Sequence, residues 1–190
     1  MRQLYMIGGP NGAGKTTVSL SLLPKLLNCH EYINADAIAA ALSPFAPETT
    51  AIQAGRLMLQ RIHLLANQKK DFAFETTMAS KTFGMFLKKC KEQNYQINLL
   101  YIWLQNPKLA ITRVHDRVLN GGHHIPDEIV LRRYMRSMSN FINIYLPLAD
   151  SWYLYDNSSE EPEIVAEKKL DASLNIINQA TWDLFHEKCA

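Results

Sequence analysis

Residues 8–17 read GGPNGAGKTT, and no other stretch restricts the fold as tightly. Gly9, Gly14, Lys15 and Thr16 complete the GxxxxGK[ST] pattern between the apolar run QLYMIG and a segment with helical apolar spacing. Glycines here let successive backbone N–H groups turn inward as an anion nest. The helix that follows offers its positive end to the same point. Such a loop cradles the phosphates of a nucleotide, and the expected binding residues are Gly9, Pro10, Asn11, Gly12, Ala13, Gly14, Lys15, Thr16 and Thr17. Lys15 would bridge the β- and γ-phosphates and the Thr16 hydroxyl would ligate Mg²⁺. A glycine-rich turn with no ligand is the bland alternative, and the completeness of the motif in this context argues against it.

The rest of the chain alternates in the same way. Strands are predicted at QLYMIGG, EYINAD, FAFETT, INLLYIWL and WYLYD. Helices are predicted at KTTVSLSLLPKLL (on Val18, Leu22 and Leu26), AIAAAL, about 48–68, SKTFGMFLKKCKEQ, NPKLAITRVHDRVL and PDEIVLRRYMRSMSNFINIY. Asn106 is the expected cap and Pro107 the first helical position of the fifth, and Pro126 opens the sixth. SSEEPE reads as a solvated turn, and the tail from Leu170 reads as helical. This order implies one α/β domain, a parallel sheet of about five strands with helices on both faces. In such sheets ligands gather at the carboxyl ends of the strands. Three candidate strands end in GG, NAD and ETT, so the chemistry is expected there.

Composition excludes several classes. The 190 residues carry a formal net charge of only +2, which argues against a nucleic-acid partner. Cys29, Cys90 and Cys189 are few, odd in number and far apart, so neither a disulfide framework nor a zinc knuckle is indicated. The longest apolar runs fall short of the ~18 residues of a membrane span. The first strand runs straight into the loop, leaving no room for a signal peptide, and a cytoplasmic protein is expected.

Two uses of the nucleotide compete. A transporter-type ATPase is suggested by the wording GPNGAGKTT, but Leu119-Asn120-Gly121-Gly122-His123 lacks the serine and glutamine of an LSGGQ signature. IYLPLAD fails as a metal-binding strand because of Pro147 and the lack of a glutamate after Asp150. A kinase needs an acceptor hydroxyl, a base beside it and cations around the moving phosphoryl group. Asp36 ends the second strand and is the candidate base; its bland role is to cap a helix beginning at Ala37. Asn34, beside it, and Glu75 and Thr76, at the end of the third strand, are candidate acceptor-binding residues. Arg113, Arg117, Arg132, Arg133 and Arg136 lie on two helices around NGGHHIPDE, a plausible lid over about 113–136. Arg117 with Arg132 or Arg133 are favoured to reach phosphate, and Arg113 and Arg136 rank below them. Asp116, Asp127 and Glu128 would pair with some of these on an ordinary solvated face. His123 and His124 read as lid or surface residues. Asp156-Asn157-Ser158 reads as a turn near the site. An ATPase or nucleotide switch acting on a protein partner stays open as the alternative.

GGPNGAGKTT, YINADAIA, FETT and RVHDRVLNGGHHIPDEIVLRRYMRSM, in that order, resemble the zeta-toxin-like P-loop kinases. The likeness runs from about residue 3 to 159. It implies a P-loop NTPase fold of adenylate-kinase-like topology, a single P-loop kinase domain over 1–190. It also implies phosphorylation of the 3′-hydroxyl of UDP-N-acetylglucosamine with ATP or GTP and Mg²⁺, and a separate antitoxin protein as a possible partner. Lys15 and Thr16 match the phosphate and Mg²⁺ residues, Asp36 the base, Glu75 and Thr76 the substrate motif, and Arg117 and Arg133 the lid. The chain is shorter than the larger toxins, which bears on the identity of the acceptor.

Overall fold

The computed structural model describes residues 1–25, 28–122 and 124–189; Leu26 and His123, both named above, lie outside them. Seven strands form one sheet in the order β2-β3-β1-β4-β5-β6-β7. β1 (Arg2–Gly8), β2 (Tyr32–Ile33), β3 (Phe72–Thr76), β4 (Tyr95–Trp103) and β5 (Ser151–Asp156) are parallel. β6 (Glu163–Lys168) and β7 (Asn175–Ile176) continue the sheet antiparallel. The five parallel strands agree with the sequence reading, but the count is seven, not five. The tail is corrected as well: only its last part is helical, as α7 (Gln179–Cys189).

Register shows how both faces are covered. Leu4 pairs with Phe72 and Ile97, and Met6 with Phe74 and Leu99, so these side chains share one face. Phe74 there meets Phe83 and Phe86 of α4 (Thr82–Glu92). Tyr101 stacks on Phe141 at 4.3 Å, and Trp103 meets Phe185 of α7 edge-on. The opposite face presents Tyr5 and Asn98 toward Leu22 of α1 (Lys15–Lys25). Leu4, Met6, Phe72, Phe74, Leu99 and Tyr101 are fully buried. That apolar area, at roughly 25 cal/mol per Å², is the main force holding the strand ends in place.

The helices around the site have readable causes. Asn106 caps α5 (Pro107–Leu119) by accepting from Lys108 N, with Pro107 at the first position, as expected. Pro126 stands just outside α6 (Asp127–Asn140), which begins one residue later than predicted. The regular helix ends at Asn140; a π turn (Phe141–Tyr145) and a 3₁₀ turn (Leu146–Leu148) follow. Pro147 therefore lies in no strand, and the Asp150 carboxylate bonds Lys91 Nζ at 2.8 Å and Ile97 N at 2.7 Å. α2 (Ala35–Leu42) is capped by Asn34, not by Asp36, which sits in its first turn. α3 (Ala51–Asn67) follows a 3₁₀ turn at Pro47–Thr50. Among the described residues no helix is long and apolar enough to cross a membrane.

Candidate active site

β1 ends in the glycine loop, and two contacts show why its glycines are needed. Gly9 has φ +142°, and a Cβ there would fall 2.1 Å from the Ile102 carbonyl oxygen of β4. Gly14 has φ +81°, and a Cβ there would meet Asn157 Nδ2 at 2.4 Å. Side chains rarely take such angles. Asn157, just beyond β5, donates from Nδ2 to Ala13 O at 2.8 Å, so the turn after β5 holds the loop's shape.

Lys15 is buried, donating to Pro10 O at 2.8 Å with Glu75 Oε1 4.0 Å away. Burial lowers its pKa from the usual lysine value; the Glu75 and Asp36 charges oppose that shift, and Arg117 and Arg133 add to it. Thr16 at the mouth donates to Glu75 Oε2 at 2.9 Å. The same carboxylate oxygen accepts from Tyr32 Oη at 2.5 Å and from Asn34 Nδ2 at 3.0 Å. Asn34 is thus used at both ends: its Oδ1 caps α2, and its Nδ2 also reaches Thr16 Oγ1 at 3.2 Å. Glu75 faces the phosphate loop rather than the open side of the cleft.

The cleft itself is a cavity of about 450 Å³. Of the predicted residues, Asn11, Gly12, Gly14, Lys15, Thr16, Thr17, Asn34, Asp36, Glu75, Thr76, Arg117 and Arg133 line it. Gly9, Pro10 and Ala13 do not line it; the Pro10 carbonyl accepts from Lys15 and the Ala13 carbonyl from Asn157. The Asp36 side chain is 59% exposed, with Arg117 Nη1 3.7 Å from Oδ2. Arg133 donates to Asn11 Oδ1 at 3.3 Å, so the second lid helix already touches the loop. Burial lowers the Arg133 pKa, against the pull of Asp36.

Two lid arginines lie otherwise than their ranking in the sequence suggests. Arg132 is exposed and does not line the cavity. Arg113, ranked below it, does, and its Nη1 donates to Asn157 O at 2.7 Å. Neighbours on a helix point about 100° apart, and on α6 it is Arg133, three residues after the buried Val130, that turns to the cleft. Sequence reasoning also missed Tyr32, whose hydroxyl holds Glu75, and the apolar wall of Met58 and Phe83. Tyr32 stands two residues before Asn34, which in an extended strand is the same face. His115 pairs with Asp127 across the two lid helices at 2.7 Å.

A parallel sheet in the order 2-3-1-4-5, a glycine loop after its middle strand and an acid at the end of the neighbouring strand define a P-loop NTPase. The chain belongs to the Zeta toxin family, whose model matches residues 2–159. An uncharacterised protein of Haemophilus influenzae is 31% identical over 126 residues, 66% of this chain and 88% of that one. Among solved structures, a chain of the AvrRxo1-ORF1:AvrRxo1-ORF2 complex with sulphate ions superposes with a TM-score of 0.78 at 15% identity. That match covers 96% of this chain and 63% of the other, so this chain spans less than two thirds of that relative's length. The PezAT toxin–antitoxin system of Streptococcus pneumoniae gives a TM-score of 0.65 at 13% identity, over 99% of this chain and 86% of that one. At these identities the structures speak for the fold alone.

Proposed function

We propose that the protein is a kinase that transfers the γ-phosphoryl group of ATP to a hydroxyl of a small molecule, with a UDP-N-acetylhexosamine as acceptor. One observation carries this reading: the carboxylate of Asp36 opens into the same cavity as Lys15, Arg117 and Arg133. Membership of the Zeta toxin family supports phosphoryl transfer. A neighbouring fold, the AvrRxo1-ORF1:-ORF2 complex, has been solved with ATP (TM-score 0.76, 16% identity); GTP remains the other donor to test.

Asp36 takes the proton of the acceptor hydroxyl while that oxygen attacks the γ-phosphorus; the bond to ADP breaks and Asp36 later returns the proton to water. Lys15 and the lid arginines bear the charge that spreads over the phosphoryl oxygens. Arg113, held by the turn after β5, and Arg133, held by Asn11, order the lid against the loop. The oxygen-only pair of Thr16 and Glu75, 2.9 Å apart, fits a hard cation such as Mg²⁺. Bound there, the ion would neutralise charge on the β- and γ-phosphate oxygens. Glu75 and Asn34, acceptor-binding candidates by sequence, are assigned in this reading to the metal side and to holding it; Thr76 stays on the acceptor side. A separate antitoxin protein is the partner we propose, as in the PezAT system, and a cytoplasmic site follows from the need for ATP.

The test is incubation with γ-labelled ATP, Mg²⁺ and UDP-N-acetylglucosamine beside Asp36→Asn. Label on the sugar nucleotide, falling about 10²-fold or more in the variant with ATP binding kept, is the expected result. The second reading, an ATPase serving a protein partner, rests on Glu75 beside Thr16, where a carboxylate also positions water. Sugar-independent phosphate release, lost in Glu75→Gln and kept in Asp36→Asn, would select it.

A further inference from the structure

Gln3, Tyr5, Asn98 and Tyr153 have no part in the phosphate-transfer cleft. They line a separate cavity of about 480 Å³ on the sheet face turned to α1, whose Leu22 forms one side. Register sets Gln3 beside Gln96, Tyr5 beside Asn98, and Asn98 beside Ser151, so one face carries them all. Gln3 stands near the start of β1, and the phosphate loop lies beyond its end at Gly8, roughly 16 Å further along the strand. The two cavities share no lining residue.

The floor is a closed circuit of side-chain amides. Gln3 Nε2 donates to Gln96 Oε1 at 3.1 Å, and Asn98 Nδ2 donates to Gln3 Oε1 at 2.9 Å. Gln96 Nε2 closes the circuit onto Asn98 Oδ1 at 3.4 Å, and Ser151 Oγ donates to the same oxygen at 2.5 Å. The three amides hold one another's orientation, while Gln3 Oε1 and Gln96 Oε1 each keep a second lone pair. Three phenols stand beside this floor. Tyr5 is 9% exposed; Tyr153 and Tyr155 are half-buried, their ring centroids 6.4 Å apart and tilted by 33°. Among the described residues none of the three hydroxyls has a hydrogen-bond partner. A buried tyrosine hydroxyl is normally bonded, so Tyr5 presents an oxygen whose partner must come from the cavity. Burial first raises the pKa of Tyr5 and of Tyr155, and the nearby Tyr153 adds to each, so both stay neutral. Lys169 on the wall is paired with Glu167 at 3.2 Å. Among the described residues no unpaired charge lines the cavity.

We propose that this cavity binds an uncharged sugar of one or two rings, at a site separate from the transfer cleft. Phosphates and carboxylates find no free cation here to offset their desolvation. A sugar hydroxyl both donates and accepts, as the phenols do, and it can donate to the open lone pairs of Gln3 and Gln96. The C–H face of the sugar ring lies against Tyr153 and Tyr155. The volume falls within the ~300–1,000 Å³ usual for small-molecule sites. The site stands on these groups and does not depend on the kinase reading.

The experiment is NMR on the full-length protein, following the side-chain amide signals of Gln3, Gln96 and Asn98. The probes are glucose, N-acetylglucosamine and maltose, each titrated to high excess. At least one should shift these signals saturably while the backbone amides of Gly12–Thr16 stay still. Pyrophosphate and adenine should leave the three side-chain signals unmoved. Tyr5→Phe/Tyr153→Phe removes two oxygens that bond nothing in the free protein, so its thermal melt should match the wild type. In that variant the shifts should need about tenfold more sugar, for two lost hydrogen bonds. Tyr155→Phe alone should weaken them about threefold, and it serves if the double variant does not fold. No response to any of the three sugars, or an equal response in the variants, overturns the site. Shifts by adenine or pyrophosphate at lower concentration than by any sugar overturn the ligand class. Sugar shifts confined to Gly12–Thr16 and Ala35–Ala37 would place the sugar in the transfer cleft and overturn the proposal as well.

Discussion

Tyr32→Phe removes one oxygen and leaves the ring, so its effect isolates a single bond. The Tyr32 hydroxyl donates to Glu75 Oε2 at 2.5 Å, and a hydrogen bond to a charged group contributes about 1.5–3 kcal/mol. Glu75 keeps Thr16 and Asn34 as donors, and Tyr32 is only partly buried, so the lower end, about 1.5 kcal/mol, applies. With a urea slope of about 2.5 kcal/mol/M for a chain of this size, the midpoint should fall by roughly 0.6 M. A second signature comes from ionisation. Burial first, and the Glu75 carboxylate next, raise the pKa of the phenol above its ordinary 10.0. A group whose pKa is raised on folding stabilises the fold below its unfolded pKa and loses that contribution as pH rises. The gap between wild type and Tyr32→Phe should therefore narrow above pH 10. If Glu75 holds Mg²⁺, the variant should also need about three- to tenfold more Mg²⁺ for half-maximal transfer, since the carboxylate loses its fixed orientation. An unchanged urea midpoint would refute the reasoning outright: the short contact would then carry no net free energy.

Asn157→Ala frees the Ala13 carbonyl and should raise the KM for ATP about five- to tenfold, with kcat changing less; equal KM values in steady-state kinetics would remove Asn157 from the account. Lys15 is deprotonated more readily folded than unfolded, so stability should rise with pH up to the unfolded lysine value, and that slope should vanish from the urea midpoints of Lys15→Met. Phe185→Ala, in a fully buried side chain packed on Tyr101 and Trp103, should lower stability by about 3–5 kcal/mol while the folded fraction keeps its kcat; a thermal melt and an activity assay at low temperature separate the two. His115 faces Asp127 across the lid, and replacing it with Ala should change transfer by less than about twofold, as exposed pairs contribute little.

How much of this was legible depends on whether a residue's role is local. The glycine loop, the Asn106 cap and the polar ends of three strands are properties of a few consecutive residues, and sequence carries them in full. Asn34 and Asp36 show the limit: both are good caps, and the choice fell to Asn34 because β2 stops at Ile33, one residue before it. The arginines show it again, with a signal that went unused. Val130, Tyr134 and Met138 are buried at spacings of four, which sets the phase of α6 and turns Arg133 toward the cleft and Arg132 to solvent. β6 was missed for a different reason. Its only buried residues are Val165 and Ala166, framed by Glu163, Glu167 and Lys168, so its strand character comes from pairing with β5 rather than from its own pattern. The Tyr32–Glu75–Thr16 cluster is the least local of all. It joins the ends of β2 and β3 to the first turn of α1, which follows β1, and only the strand order 2-3-1 makes them neighbours. The acids and hydroxyls that the sequence marks at separate strand ends become one site because that order sets them side by side.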